Sequence, residues 1–181
     1  MSLPRRRFLL LAFLAAGAAA GAAPAKWAAS IDAFTRADAA NPPPRDAVLF
    51  VGSSSIVRWK SLARDFPEVR VVNRGFGGSE LADSVHYLDR LVLPHQPRVV
   101  VLYAGENDLQ AGATAEEVHA RFQAFRQGLH AALPQTRLVF IAIKPSLSRW
   151  KQIETQRAAN QKVREICERS ERLTFVDVVQ P

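Results

Sequence analysis

Three serines in a short segment led by a glycine are the residues of this sequence best suited to nucleophilic chemistry. Ser53, Ser54 and Ser55 follow Gly52, directly after the apolar run at residues 48–51. A short and continuously apolar run predicts a strand buried on both faces, as found at the centre of parallel α/β sheets. Ligands bind beyond the carboxyl ends of such strands, where a serine could act as a nucleophile. Taken alone, however, the segment favours a serine-rich turn that caps the next helix.

Two later segments supply what acyl transfer by a serine requires. Gly77 and Gly78 follow a second predicted strand at residues 69–72, and Asn107 follows a third at residues 98–103. Glycine permits the close approach of backbone to a ligand, and the side-chain amide of asparagine donates hydrogen bonds without carrying charge. Such donors stabilise the oxyanion that forms when a serine attacks an acyl group. The three strand ends together predict a site for acyl transfer.

The motifs G-S-S-S-I, N-R-G-F-G-G-S and Y-A-G-E-N-D resemble, in this order, the first three blocks of the SGNH (GDSL-type) hydrolases. The resemblance extends from about Trp27 to the last residue and is closest to the branch similar to platelet-activating-factor acetylhydrolase. It implies a flavodoxin-like three-layer sandwich with a five-stranded parallel sheet of order 2-1-3-4-5. It also implies that Ser54 is the nucleophile. The implied oxyanion hole consists of the Ser54 N–H, the Gly78 N–H and the Asn107 side chain.

The sequence lacks the remaining block of that family, a D-x-x-H that supplies the general base and its orienting carboxylate. The chain stops at Pro181, after a fifth predicted strand at residues 173–178, where this block and a last helix would follow. The sequence Asp83-Ser84-Val85-His86 fits the pattern, but it lies in the helix predicted between the second and third blocks. The other histidines, for which we predict no catalytic role, are His95, His119 and His130. We therefore expect a truncated SGNH domain with little or no esterase activity.

Alternating strands and helices predict one α/β domain at residues 26–181, with a parallel sheet and short loops. The fourth strand is predicted at residues 138–143. The predicted helices lie at residues 27–40, at 59–66, after a cap at Ser79, after the capping box Thr114–Glu117, and at 148–169. Cys167, the single cysteine, is predicted to be a small core residue that forms no intrachain disulfide.

The first 25 residues are predicted to be a secretory signal peptide. Three arginines at residues 5–7 precede an apolar run at residues 8–20 that is too short to span a bilayer, and Ala23-Pro24-Ala25 offers a cleavage site. The arginines also resemble a twin-arginine export signal, although Pro4 stands where Ser or Thr is usual. We expect a periplasmic or secreted protein, exported by the twin-arginine or the general machinery and without a stable membrane anchor.

Composition and motifs exclude several other classes of protein. Charged residues make up 23% and hydrophobic residues 48% of the 181 residues, which is typical of a globular protein. The arginines at residues 5–7 account for three charges of the formal net charge of +7. The remaining basic residues are scattered and do not form the basic stripe that nucleic-acid binding needs. A nucleotide site at residues 75–78 is disfavoured because no G-x-G-x-x-G follows the first strand. The sequence contains no metal-ligand cluster, and we expect no cofactor.

Two questions stay open at the level of sequence. The substrate is a small ester, and a short acyl ester, a lysophospholipid and an acetylated sugar fit equally well. The alternative to an exported serine ester hydrolase is a catalytically incomplete binding protein that keeps the cleft without the base. Ser53 stands where the common motif of the family has Asp, a departure that is expected mainly to alter local hydrogen bonding.

Overall fold

The computed structural model describes residues 25–179, so the predicted signal peptide lies outside the described residues except for Ala25. Five strands form one sheet in which neighbouring strands run parallel. Their order is β2-β1-β3-β4-β5, which confirms the predicted order and the α/β class. The strands are β1 (Val48–Gly52), β2 (Val71–Gly75), β3 (Val99–Tyr103), β4 (Arg137–Ile141) and β5 (Leu173–Val176).

Helices connect these strands throughout the described part of the chain. The three long helices are α1 (Ala25–Ala40), α7 (Ala115–Ala132) and α8 (Ile153–Cys167). The short helices are α2 (Ser54–Arg58), α3 (Leu62–Asp65), α4 (Leu81–His86), α5 (Leu88–Leu91) and α6 (Glu106–Gln110). Two 3-10 helices lie at Leu93–His95 and Leu147–Gln152. The capping box predicted for α7 is confirmed, because Thr114 and Glu117 each accept a hydrogen bond from the other's backbone N–H.

One face of the sheet carries the main hydrophobic core, on which α1, α4, α5, α7 and α8 pack. Successive residues of a strand point to opposite faces, so Leu49 and Val51 of β1 both point into this core. Phe140 of β4 meets Phe122 of α7 edge to face, with the ring centroids 5.2 Å apart. These contacts fix the helices relative to the carboxyl ends of the strands, where the predicted site residues lie.

The opposite face is covered over only part of its width by the described residues. Ile56 of α2 and Leu62 of α3 pack there against Phe50 of β1. The rest of this face forms an open cleft of about 520 Å³, which is lined by apolar side chains of all five strands together with Trp59 and Phe66. Parallel sheets are normally covered on both faces, so this face is incompletely packed within residues 25–179.

Two predicted helices have different boundaries in the structure. Of the helix predicted at residues 59–66, only α3 is present. It is preceded by α2, which was not predicted and ends at Arg58. Between the two, the indole N–H of Trp59 donates to Asp65 at 2.6 Å. The helix predicted at residues 148–169 begins at Ile153, because the preceding residues form a 3-10 helix with a break at Arg149. Side-chain contacts of Arg149 with other elements, described below, outweigh the helix propensity of this stretch.

Two further observations concern α8 and the helices in general. The thiol of Cys167 at the end of α8 is buried, as predicted, and burial raises its pKa to about 11. No helix within residues 25–179 combines the length and the apolar character needed to cross a membrane.

The segment that follows β4 is fixed by Asn160 of α8. The Asn160 side-chain oxygen accepts a hydrogen bond from the Ile143 N–H at 2.8 Å, and its amide donates to the Ile143 carbonyl at 2.9 Å. Both residues are buried, so the backbone groups of Ile143 have no access to water as an alternative partner.

Replacing Asn160 by alanine should therefore destabilise the fold. Asn160→Ala leaves two buried backbone groups unpaired, and we expect the free energy of unfolding to fall by about 2–4 kcal/mol, since each unpaired group costs about 1–3 kcal/mol. Urea denaturation followed by circular dichroism measures this change. The exposed neighbour provides a control, because Gln161→Ala should cost less than about 0.5 kcal/mol. Equal losses in the two variants would show that the Asn160 bonds are not needed.

Candidate active site

Ser54 begins helix α2, two residues after the end of β1. The N–H groups in the first turn of a helix have no partner within the helix, so Ser54 presents both its N–H and its hydroxyl. Ser54 is half-buried, whereas Ser53 is only 1% exposed. Ser55 lies within hydrogen-bond reach of the Tyr103 hydroxyl. Of the three serines, Ser54 is therefore the one that is accessible and not engaged by a neighbouring side chain.

The start of α2 is fixed by close contact between β1 and β3. The Ser53 N–H donates to the carbonyl oxygen of Tyr103 at 3.2 Å. Gly52 has a φ of +147°, and a Cβ atom at this position would lie 2.0 Å from the same oxygen. A residue with a side chain would push the two strands apart, so glycine is required here. This contact sets the position at which Ser54 leaves the sheet.

Gly78 lies in the exposed loop that follows β2. The loop is anchored to β1, because the Phe76 N–H donates to the Gly52 carbonyl at 2.9 Å. Gly78 has a φ of +81°, in the left-handed region that favours glycine. A Cβ atom here would lie 3.4 Å from the Trp27 ring, which is an ordinary contact. The backbone conformation, rather than lack of space, is thus the reason for a glycine at this position.

Asn107 lies in the first turn of α6, just beyond β3. Its Nδ2 donates to the carbonyl oxygen of Ser79 at 2.9 Å. Because Ser79 directly follows Gly78, this bond joins the loop after β3 to the loop after β2. One hydrogen of the Asn107 amide is used in this contact and the second is left for another acceptor.

The sheet register brings the ends of three strands to the same edge. Gly52 of β1 lies level with Gly75 of β2 and with Tyr103 of β3. Each predicted site residue lies shortly after one of these positions: Ser54 two residues after Gly52, Gly78 three after Gly75, and Asn107 four after Tyr103. The structure therefore places all three at one edge of the sheet, at the half-buried or exposed surface. Their catalytic roles stay predictions.

A buried carboxylate lies directly behind this edge. Both oxygens of Asp108 accept from the Leu81 N–H, at 3.1 and 3.0 Å, and one accepts from Arg121 at 2.7 Å. Asp108 has no exposed surface. The same Arg121 nitrogen donates to Glu80 at 2.9 Å. The backbone of α4, which follows Gly78 in the chain, is thus bound to the residue after Asn107.

Helix α4 is capped in a way that the sequence did not indicate. The prediction that Ser79 caps this helix is wrong. The N-cap is Glu80, whose side chain forms a reciprocal capping box with Asp83. The Asp83 carboxylate accepts from the Glu80 N–H at 2.8 Å. Asp83, the acid of the D-x-x-H sequence in this helix, therefore has a local structural role.

A second polar cluster lies on the other side of Asn107. The Tyr103 hydroxyl donates to Glu106 at 2.8 Å, and burial together with the Glu106 charge raises the pKa of Tyr103 above its usual value. Lys144 and Arg149 each place a nitrogen 3.6 Å from Glu106. Arg149 also donates from Nη2 to the Asn107 side-chain oxygen at 3.0 Å. The cluster therefore connects to the predicted oxyanion hole through Arg149.

The sequence contained no signal for the role of Arg149 in this cluster. The sequence pattern places Arg149 in one long helix, and Arg149 lies 42 positions after Asn107 in the chain. Glu106 belongs to the Y-A-G-E-N-D motif, but the motif does not indicate which cations the carboxylate faces.

None of the four histidines forms a hydrogen bond with Ser54 among the described residues. His86 is exposed at the end of α4 and packs against the ring of Tyr87. His95 is buried, with Nε2 3.5 Å from Asp38, and burial lowers its pKa. The remaining contacts join His119 to Gln123 and His130 to the Thr136 carbonyl. Residues 25–179 also contain no group of three or more His, Cys, Asp or Glu side chains able to hold a metal ion.

Comparison with known sequences identifies one family. The model of the GDSL-like lipase/acylhydrolase family matches residues 51–181, which is most of the chain and includes all three predicted site residues. No curated protein sequence matches the chain.

Solved structures with the same fold come from several bacteria. A Streptococcus pneumoniae protein described as a platelet activating factor is 21% identical, with a TM-score of 0.73, and the match covers 84% of this chain and 75% of that one. A Bacteroides fragilis protein described as an acylhydrolase is 18% identical, with a TM-score of 0.72 and coverages of 83% and 77%. A Geobacillus acetyl-xylooligosaccharide esterase is 18% identical, with a TM-score of 0.59 and coverages of 76% and 78%.

The Asp108 contacts should make a large contribution to stability. In Asp108→Ala the Leu81 N–H and Arg121 lose a buried charged partner, and we expect the free energy of unfolding to fall by roughly 3 kcal/mol. Denaturant unfolding measures the change. Glu154→Ala is the control, because its exposed ion pair with Arg157 should contribute less than about 1 kcal/mol. If Asp108→Ala were as stable as this control, the carboxylate would not hold the two loops together.

Proposed function

The chain belongs to the GDSL-like lipase/acylhydrolase family, the SGNH hydrolases, and from this premise we propose that it hydrolyses a carboxylic ester through an acyl-Ser54 intermediate. The proposal rests on one observation above all. An accessible serine at the start of a helix lies at the same sheet edge as a glycine with positive φ and an asparagine amide with one free hydrogen. These are the parts that acyl transfer to a serine needs.

The proposed reaction has two halves. In the first, the Ser54 oxygen attacks the ester carbonyl carbon, its proton passes to a base, and a tetrahedral oxyanion forms. The Ser54 and Gly78 N–H groups and the Asn107 amide donate to that oxyanion. The bond from the carbonyl carbon to the alcohol then breaks, and the alcohol leaves with a proton. In the second half, water attacks the acyl-serine and gives a proton to the base, and a second tetrahedral oxyanion forms in the same hole. The bond from the carbonyl carbon to the Ser54 oxygen then breaks, Ser54 takes back a proton, and the acid is released.

The base of this reaction is not among the chain's histidines in our proposal. Their contacts lie with other residues: His86 with Tyr87, and His95 with Asp38. A serine hydroxyl without an adjacent base is a weak nucleophile. We therefore propose that the 181-residue chain by itself reacts slowly with esters. The residual rate comes from the oxyanion hole and from substrate binding, which together are worth about 10³–10⁴-fold over water in enzymes that lack a triad member.

The proposed substrate carries a short acyl group. Gly78 is exposed and both Ser54 and Asn107 are half-buried, so the site lies open at the edge of the sheet. A small acyl group such as acetyl needs no deep acyl pocket, so an open site is sufficient for it. One structurally similar protein is an acetyl-xylooligosaccharide esterase, which lends this choice support. We also propose that the protein is exported, on the strength of the arginines at residues 5–7 and the apolar run that follows them.

The proposal is tested with p-nitrophenyl acetate and a fluorophosphonate probe, in the absence and presence of imidazole as an external base. We expect a slow reaction that imidazole accelerates, and we expect Ser54→Ala to remove both the labelling and the accelerated part of the hydrolysis. Ser53→Ala and Ser55→Ala are matched controls that should keep labelling measurable. The Ser54→Ala protein also corrects for hydrolysis by imidazole itself.

Three outcomes would overturn the proposal in part or as a whole. Labelling that persists in Ser54→Ala but disappears in Ser53→Ala would mean that the nucleophile is wrongly assigned. Fast hydrolysis without imidazole that is lost in His86→Ala would show that the helix α4 histidine is the base. No Ser54-dependent reaction under any condition would instead favour the binding-protein alternative.

A further inference from the structure

We propose that Arg149 is a positioning residue of the oxyanion hole, which fixes the Asn107 side chain so that one of its N–H groups is free to meet the oxyanion. This inference rests on the proposed function of Asn107. It assigns a role to a residue outside the three motifs, and it makes that role testable apart from catalysis.

The two partners of the Asn107 amide define its orientation. Arg149 donates from Nη2 to Oδ1 at 3.0 Å, and Nδ2 donates to the Ser79 carbonyl at 2.9 Å. If the amide were rotated by 180°, its NH2 would face the guanidinium and its oxygen would face a carbonyl oxygen. Both contacts would then be repulsive. Arg149 and Ser79 therefore permit a single orientation, with the second hydrogen of Nδ2 unused by either partner.

The guanidinium also acts on the strength of the remaining N–H donor. A positive charge at the amide oxygen draws electron density from the nitrogen, because hydrogen bonds in a chain polarise one another. The N–H left for the oxyanion thereby becomes a better donor. Arginine suits this position because it carries its charge at every relevant pH and its nitrogens form a rigid fork.

Arg149 is itself held by neighbours rather than extended into solvent. Its Nη1 lies 3.6 Å from Glu106, and Glu106 accepts from the buried Tyr103 hydroxyl at 2.8 Å. The Arg149 side chain is 23% exposed. Glu106 also faces Lys144 at 3.6 Å, so the carboxylate faces two cations.

The backbone supports the same conclusion independently. Arg149 has φ −120° and ψ 21°, which breaks the helical conformation in the segment 147–152. Its neighbours are directed outward, since Leu147 is 93% and Trp150 is 56% exposed. This segment also forms a hydrogen bond with the end of α6, in which the Gln152 side-chain amide donates to the Gln110 side-chain oxygen at 3.3 Å. Arg149 is thus the residue of this segment that reaches the site.

Kinetics provide the first test, measured as the Ser54-dependent, imidazole-supported hydrolysis of p-nitrophenyl acetate. Removing one oxyanion donor costs about 10²–10³-fold in kcat. Arg149→Met leaves that donor in place but poorly oriented, so we expect kcat to fall about tenfold with KM changed less than about twofold. Arg149→Lys should restore only part of the loss, because lysine keeps the positive charge but lacks the rigid fork that reaches Asn107 and Glu106 with separate nitrogens. Arg157→Met, an exposed arginine on α8, is the control that should match the unmodified protein.

A double variant separates positioning from general destabilisation. In an Asn107→Ala background, Arg149→Met should cause no further loss of kcat, because the group on which Arg149 acts is gone. Additive losses would overturn the proposal, as would equal losses in the Arg149→Met and Arg157→Met proteins.

A measurement that needs no catalysis keeps the proposal testable if the proposed function fails. The NMR signals of the Asn107 side-chain amide are assigned by their absence in Asn107→Ala. The hydrogens of this amide should exchange with solvent faster in Arg149→Met than in the unmodified protein, and at an unchanged rate in Arg157→Met. If exchange is the same in both variants, Arg149 does not hold the amide. A hydrolysis rate that Ser54→Ala leaves intact would refute the esterase mechanism alone, whereas the NMR result would still decide the role of Arg149.

Discussion

The pairing of the buried Asp108 carboxylate is the interaction on which the arrangement of the site depends. A carboxylate removed from water is stable in its charged form only with hydrogen-bond donors or cations around it. Here the donors are the Leu81 N–H at the start of α4 and the guanidinium of Arg121. Because Asp108 adjoins Asn107 and Leu81 lies three residues beyond Gly78, satisfying this one charge holds the two halves of the predicted oxyanion hole against each other.

The position of Ser54, the third part of the predicted site, depends on a different constraint, which acts between β1 and β3. Gly52 allows the backbone of β1 to approach the Tyr103 carbonyl, and the Ser53 N–H then bonds to that same oxygen. Ser54 is thereby fixed relative to β3 before any substrate binds. An oxyanion hole works because its donors need no reorganisation during the reaction. In this chain the predicted donors are held by the contacts of Asp108 and by those of the Arg149 and Glu106 cluster.

The sequence predicted those features that depend on local pattern. Apolar runs located the five strands, and Thr114 and Glu117 marked the start of α7, because both signals lie within a few neighbouring residues. Strand order and the grouping of Ser54, Gly78 and Asn107 came from the family resemblance, since no local pattern encodes which strands are neighbours. Arg149 could not be found in this way. Its break from helical geometry accompanies contacts with Asn107 and Glu106, which lie more than 40 positions earlier in the chain.

The most direct test of the account is to locate the covalent adduct. The three adjacent serines all lie in one tryptic peptide, residues 46–58, so fragmentation of that peptide after fluorophosphonate treatment with imidazole identifies the modified oxygen. The account predicts an adduct on Ser54, the half-buried residue that starts α2, and unmodified Ser53 and Ser55. An adduct on Ser53 or Ser55 would contradict the assignment of this sheet edge as an oxyanion hole built around Ser54.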